Sequence, residues 1–598
     1  MPFANQIRIL VSAAWLSLLV CTAQAAEGPI YRSPVDLVLS PDEAWLFTAN
    51  QTSSTVSLVN VSSGEVVAEV SCARRPTAIA YVPQTRQVLA VGSYGGEVTV
   101  FSHDGAKLTK SGAIPVSFEP YGIAVNPDGK TAYVSQSSGS AVAVLDLSAR
   151  KVTGTISVGP WPRSLVLSHD GSRLAVTTNG DRNVFVIDTV GNKVLFEESF
   201  GGINAGQMCL SPKGDEVYFP WMVYRHNPID QRNIREGWVL GSRIGRVRID
   251  KATTREAITL DPQGEAVSDP HGMGMTSDGK WLVCAASGTH EVLVYRTSAL
   301  VFQSIGGPGD HIDPALRNDH SKFYRVPVSG RPMGLRMAKD NRRVFVSNYL
   351  TNEIHEIDLE TKKVARHIQL GPLTEPTLAR QGEAIFYDGA RSLDQWYSCH
   401  SCHWEGGTNA VAMDTMNDGT IRTFKTVLSL KNVTQTAPWT WHGWQKDLDA
   451  AMHKSLTDTM LGPRPTRDDV AAMIAYLKAL ESPANPNRLA DGGLSPAATR
   501  GKTLFESKRA GCSTCHNGPF FTDGKIHDVG LNSPKDYFQG YNTPSLVGIY
   551  NRVRYLHDGR AKTLDEVFTE YHKPQDLGEG DALDAAELKD LIEYLKSL

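Results

Sequence analysis

Two five-residue runs, Cys399-His400-Ser401-Cys402-His403 and Cys512-Ser513-Thr514-Cys515-His516, carry the clearest chemistry in this 598-residue sequence. The spacing puts two thiols on one turn of backbone, where they bond the vinyl groups of a porphyrin. It also sets an imidazole beside them to face the iron. The sequence therefore predicts two covalently bound haem c groups, with His403 and His516 as proximal ligands. Other chemistries that pair cysteines fit less well. A thiol redox pair does not need the histidine, and a zinc site wants a Cys/His quartet. Of the other thiols, Cys72, Cys209 and Cys284 are odd in number, and two of them sit in apolar strand-like runs (207–210 and 281–284). They read as buried structural cysteines.

Composition narrows the partners. Lys and Arg number 60 against 64 Asp and Glu, a formal charge of −4, with no long run of one sign. Neither nucleic acid nor an anionic membrane is favoured as the main partner. Residues 1–25 read as an export signal: Arg8 is followed by an apolar stretch over 9–20 and by Ala23-Gln24-Ala25 at a small-x-small cleavage site. That stretch is short of the ~20 residues of a membrane span, so a periplasmic product with no transmembrane anchor is expected. Lipid attachment through Cys21 is the rival, and Val20 is bulky where a small residue is usual.

What must position the haem motifs is a repeat. Over 30–372 a turn signal recurs, as in Ser40-Pro41-Asp42, Asn126-Pro127-Asp128-Gly129, Ser168-His169-Asp170-Gly171 and Ser211-Pro212-Lys213-Gly214, with early steps of 42, 44, 42 and 43 residues. Each precedes short strands such as 131–134 and 141–146. A period of ~40–45 residues built of short strands predicts a β-propeller, here of seven blades. Two steps are long, and the extra residues fall near 220–238 (Tyr224, Arg225, His226, Asp230, Arg232, Arg235) and 303–323 (Asp310, His311, Asp313, Asp319, His320). These insertions are expected to contact the haem units; a metal site through His311 and His320 is the alternative, and solvated loops the plain reading.

After Pro372 the pattern turns helical, and two similar units follow, 373–485 and 490–598, joined by a linker over 482–487. Beyond the haem motifs they align without gaps at an offset of 116: Ser429-Leu430 with Ser545-Leu546, Gly443 with Gly559, Leu448-Asp449 with Leu564-Asp565. Each closes on an amphipathic helix, 473–480 and 591–598. The expected fold class is multi-domain: an N-terminal seven-bladed β-propeller followed by two tandem all-α cytochrome c domains.

The propeller pattern, as in Arg343-Val344-Phe345-Val346-Ser347-Asn348, resembles the YVTN-type family. The paired units resemble the di-haem bacterial cytochrome c peroxidase and MauG family. The resemblance is strongest in Phe521-Thr522-Asp523-Gly524-Lys525-Ile526-His527-Asp528-Val529-Gly530, Asn542-Thr543-Pro544-Ser545-Leu546 and Tyr555-Leu556-His557-Asp558-Gly559-Arg560. It implies one open haem for peroxide (or oxygen) chemistry and one six-coordinate haem that stores or relays an electron. The family's sixth ligand falls here at Tyr571, followed by His572, and no Met occurs after Met473. At the first haem the matching position is Ser455, too short to ligate, with Met452 and His453 beside it. Asp449 stands where the family has its acid/base Glu, and His442 is a second distal candidate. Trp396, Tyr397, Trp404, Trp439, Trp441 and Trp444 form an aromatic cluster suited to an electron path or to packing on porphyrin. Calcium between the units is usual in such proteins, although no local motif fixes it here. The implied electron donor is a small cytochrome or cupredoxin, or else a protein substrate is oxidised, with the propeller as docking or substrate platform. The alternative is an electron-transfer or dehydrogenase protein in which both haems are relays and the propeller binds the substrate.

Overall fold

The computed structural model describes residues 31–303, 311–372 and 374–598; the stretch read as an export signal, Cys21 and Asp310 lie outside them. Residues 34–369 form a seven-bladed β-propeller. Six blades are four-stranded antiparallel meanders whose strands follow one another in sequence, from Pro34–Leu39 through Val66–Ser71 in the first to Pro332–Met337 through Lys363–Gln369 in the last. First strands of neighbouring blades pack around the axis, and blade seven meets blade one to close the ring.

The recurring turn explains the hairpins. Ser168 Oγ donates to Asp170 Oδ1 at 2.6 Å and accepts from the Arg173 amide at 2.9 Å, and Ser40 with Asp42 and Trp45 repeats the arrangement. Side-chain oxygens thus satisfy the backbone where the first strand turns into the second. Middle strands such as Leu46 to Asn50 are buried at every position, because each blade is covered on both faces by its neighbours. Outermost strands alternate, as Val66–Ser71 does.

Blade five departs from the pattern. Two short strands, Gly202–Ile203 and Cys209–Leu210, both pair with the nine-residue strand Glu216–Tyr224, and its partner Leu240–Arg248 is equally long. The excursion between them holds the helix Gln231–Arg235. Ile229, Ile234, Val239 and Leu240 join Phe386, Trp396, Tyr397, Met460 and Tyr476 of the C-terminal region in one buried cluster. The first insertion is therefore domain contact. In the second, Asp313 caps the short helix Pro314–Arg317 and the His311 ring lies 6.1 Å from that of Trp396. Neither His311 nor His320 belongs to a group of three potential metal ligands among the described residues. Cys284 is buried as expected, whereas Cys72 and Cys209 are half-buried.

The C-terminal region is less helical than expected. Each unit pairs a first helix with a last one, Leu378–Phe386 with Arg467–Ala479 and Pro496–Phe505 with Ala585–Lys596. Between them run long irregular segments and a two-residue β-ladder per unit, which an all-α description omits. Both pairs cross at a glycine. A Cβ on Gly382 would stand 1.9 Å from the Ala472 carbonyl oxygen, and one on Gly501 1.9 Å from that of Asp590, so the backbones touch.

The units face each other about a pseudo-twofold. Thr426 N donates to His557 O at 2.6 Å and Asn542 N to Trp441 O at 2.8 Å. Because Thr426 matches Asn542 and Trp441 matches His557 at the offset of 116, each position bonds the counterpart of its own partner, as in an isologous interface.

Candidate functional site

Each haem motif opens on its own cavity. The first, about 350 Å³, is bordered by Cys402, His403, Trp439, Trp441, His442 and Trp444. The second, about 260 Å³, is bordered by Cys512, Cys515, His516, His557, Phe568 and His572. Trp441 belongs to both walls and lies at the pseudo-twofold seam.

The motif histidines are held alike. The Nδ1 of His403 bonds the Leu428 carbonyl at 2.9 Å, and that of His516 the Phe521 carbonyl at 3.0 Å. A carbonyl acceptor fixes the proton on Nδ1 and leaves Nε2 as the metal-binding nitrogen. Burial pushes the His403 pKa down to about 4, which keeps the ring neutral. Burial also pushes the Cys399 and Cys402 thiols up to about 12 and Cys512 to about 11. Thiols held protonated do not suit a reactive redox pair. Neutral thiols, a free Nε2 and a roomy cavity together fit haem c.

The first motif is seated in the mouth of the propeller. Ser398 caps the turn Cys399–Cys402, and its hydroxyl and that of Ser401 (2.6 Å) both donate to the buried carboxylate of Asp269. Asn204 Nδ2 donates to Ser401 O at 2.8 Å. Just past His403, Glu405 accepts from Tyr121 at 3.1 Å, and Arg163 stacks 4.7 Å from the Trp404 ring. The nearby Arg163, Arg75 and Arg331 hold the Glu405 carboxyl below its usual range against the opposing effect of burial. The second unit touches the same propeller: Trp161 Nε1 donates to Asn551 Oδ1 at 2.8 Å and Tyr550 to Glu119 at 2.7 Å. On the propeller side, none of these anchors (Asp269, Asn204, Tyr121, Arg163, Trp161, Glu119) carries a motif that sequence alone would single out.

The six aromatic candidates divide. Trp439, Trp441 and Trp444 border the first cavity. Trp396 and Tyr397 are buried in the core shared with the propeller, and Trp404 sits in the propeller mouth.

Asp449 does not enter the cavity. Its side chain is 63% exposed and lies 3.6 Å from His453 on the outside of helix Leu448–Lys454, so it is not placed for acid/base work. His442 is. Its buried ring donates from Nδ1 to the Gly540 carbonyl at 2.7 Å and has Nε2 3.4 Å from Asp536, itself paired with Lys425 at 2.7 Å. A stack continues through Tyr541 (4.9 Å from His442) to His557 (4.4 Å from Tyr541). Burial holds the His557 pKa down at about 4.

Tyr571 and His572 part company. His572 borders the second cavity, and burial followed by the nearby His516 lowers its pKa to about 4. Tyr571 lies outside it, with Arg560 5.6 Å from its ring. At the first haem the gapless offset fails. Helix Leu448–Lys454 starts in register with Leu564–Glu566, but the π-helical turn that follows is Ser455–Thr459 in one unit and Val567–Tyr571 in the other. Matching bonds close the two turns, Met460 N to Ser455 O at 2.9 Å and His572 N to Val567 O at 2.7 Å. The first unit thus holds four extra residues, about one helical turn. Ser455 corresponds to Val567, and the places of Tyr571 and His572 go to Thr459 and Met460. Ser455 and Met452 border the first cavity, while Met460 Sδ lies 3.6 Å from Cys399 Sγ.

No family model matches the chain. Among curated proteins, a 273-residue match at 30% identity to hydrazine synthase subunit gamma of Kuenenia stuttgartiensis covers 37% of this chain and 77% of that protein. A match at 26% to methylamine utilization protein MauG of Methylorubrum extorquens covers 39% and 80% respectively. Hydrazine synthase subunit beta of Kuenenia stuttgartiensis is 26% identical over 365 residues, 58% of this chain and 93% of that subunit. No helix among the described residues is long and apolar enough to cross a membrane.

Proposed function

The chain belongs to the di-haem family of MauG, the cytochrome c peroxidases and hydrazine synthase, and on that premise we propose an exported, periplasmic oxidoreductase with peroxide chemistry at the His403 haem and an electron store at the His516 haem. The observation that carries this reading is the asymmetry of two otherwise matching cavities. Where the π-helical turn ends, the second cavity is bordered by the His572 imidazole, whereas the first unit has Met460 there with its sulfur turned to Cys399, and Ser455 in the cavity wall.

Cys399, Cys402, Cys512 and Cys515 would attach the two haems, and His403 and His516 would hold the irons through Nε2. His572 would hold the second iron as well. Haem c would supply an iron for peroxide chemistry at the first site and for electron exchange at the second. His442 takes up and returns a proton at Nε2, with Asp536 and Lys425 keeping the ring oriented. Trp441, common to both walls, supports electron passage between the cavities. Asn542 Oδ1 and Thr440 Oγ1, buried without partners in the wall of the first cavity, are oxygen donors of the kind calcium takes. The propeller docks the redox partner, a small cytochrome or cupredoxin, or a protein substrate.

A second reading has a specific support. Met452 borders the first cavity, and a thioether on the first iron would make both haems relays, with the substrate in the axial cavity of the propeller, about 390 Å³. Absorption and EPR spectra of the ferric protein separate the two. The peroxide reading expects two covalent haems per chain, one high-spin and reactive with hydrogen peroxide, one low-spin. Two low-spin haems inert to peroxide would replace it with the relay reading, and a protein without covalent porphyrin would remove both.

A further inference from the structure

Blade seven carries a cluster of donors that the propeller repeat does not need. Glu353 and His355 lie two residues apart on the strand Glu353–Asp358 and so share a face. His367, on the outermost strand Lys363–Gln369, is the direct cross-strand partner of His355. Glu353 Oε2 is 2.9 Å from His355 Nε2 and 3.4 Å from His367 Nδ1, and the three donor atoms lie within 4.8 Å of one another. The rings stand 4.6 Å apart, inclined by 67°. In the first four blades the pair at the place of His355 and His367 is Ser57 with Glu69, Thr99 with Ala113, Ala143 with Thr155 and Phe185 with Glu197. Repeat geometry therefore does not demand imidazoles.

We infer that Glu353, His355 and His367 form a binding site for a divalent cation that prefers imidazole, zinc or copper, separate from the haems. The donor set of two neutral nitrogens and one carboxylate is the combination such ions select over calcium or magnesium. The distances of 2.9 and 3.4 Å bracket the separation of about 3.3 Å that tetrahedral zinc imposes on its ligands. The site is built from the inside outward. His355 is fully buried, with Nε2 facing Glu353. Glu353 is mostly covered, and His367 is 56% exposed, which gives an ion access from solvent and leaves room for water as a fourth ligand. The consequence is structural. Blade seven closes the ring on blade one without exchanging a strand, and an ion bridging its two outer strands would pin that closing blade.

Calorimetric titration of the chelator-washed holoprotein with zinc chloride tests this. One zinc per chain is expected beyond the haem iron, with His367→Gln weakening binding at least ~30-fold and Glu353→Gln weakening it less. Copper(II) EPR of the same samples should show two nitrogen donors in the native protein and a changed pattern in His367→Gln. His367 is largely exposed, so its variant should keep the native haem spectrum; if it does not, Glu353→Gln carries the test. No zinc uptake at ~100 μM, or uptake that neither variant weakens, would overturn the site.

Discussion

Removing the His572 imidazole is expected to convert the low-spin ferric signal of the second haem to high-spin, read by EPR. Tyr571→Phe should leave both haem signals unchanged, because its phenol lies outside the cavity beside Arg560. The two residues are adjacent in sequence, and the end of a π-helical turn points only one of them inward. The same reasoning separates the distal candidates. Asp449→Asn should change steady-state peroxide turnover by less than about threefold, since a solvated carboxylate outside the cavity moves no proton within it. His442→Gln should cost on the order of 10² to 10⁴ in kcat, the usual worth of a positioned general acid or base. Sequence reasoning found His442, Trp439 and Trp441 because they fall beside a recognisable His-Asp-Gly counterpart. It missed Asp536, which carries no motif and reaches His442 only across the seam between units, and Lys425, which pairs with Asp536 there.

Among the elements, the turn that bears the first haem motif depends on strands far from it in sequence. Asp269, in the link into blade six, accepts from both Ser398 and Ser401. Asp269→Ala leaves two buried hydroxyls without that acceptor, and unfolding followed at the first haem's Soret band should show a loss of about 1–3 kcal/mol. The first strand of the same blade, Pro270–Met275, holds His271, whose pKa falls to about 3, first through burial and then through Arg331. The folded protein therefore refuses a proton that the unfolded chain accepts near 6.5. Stability from this group is complete above pH 6.5 and is lost as pH falls toward 3, by up to about 1.4 kcal/mol per unit. Urea titrations between pH 7 and 4 should show that slope, and His271→Gln should flatten it.

For the whole molecule, the propeller and the first C-terminal unit share a core, in which Ile234 and Met222 of blade five pack with Phe386, Trp396 and Tyr397. A fragment beginning at residue 374 would expose that face. It is expected to aggregate or lose order around the first haem motif, while the second unit, with its own cluster of Phe505, Leu591 and Leu595, keeps its fold; haem staining and circular dichroism of the purified fragment would show it. The order of blades and the existence of two similar units were legible from spacing. Beyond the expectation that the long insertions contact the haem units, their docking was not, because its contacts join residues far apart in the chain, as Asn204 and Ser401 are at 197 positions and Asp269 and Ser398 at 129.

The sequence by itself determined what is local. Covalent attachment needs only two thiols and an imidazole on one stretch of backbone, and the seven blades need only a period set by strand and turn lengths. What the tertiary structure alone decided is which side chains meet around each cavity. Four extra residues rotate and advance the first unit's helix by about a turn, so Met460 rather than Ser455 takes the place of His572. The pseudo-twofold then brings Trp441 to His557, and the propeller mouth takes in the first motif. A helix's orientation toward a cavity depends on packing with distant elements, and linear spacing holds no record of that.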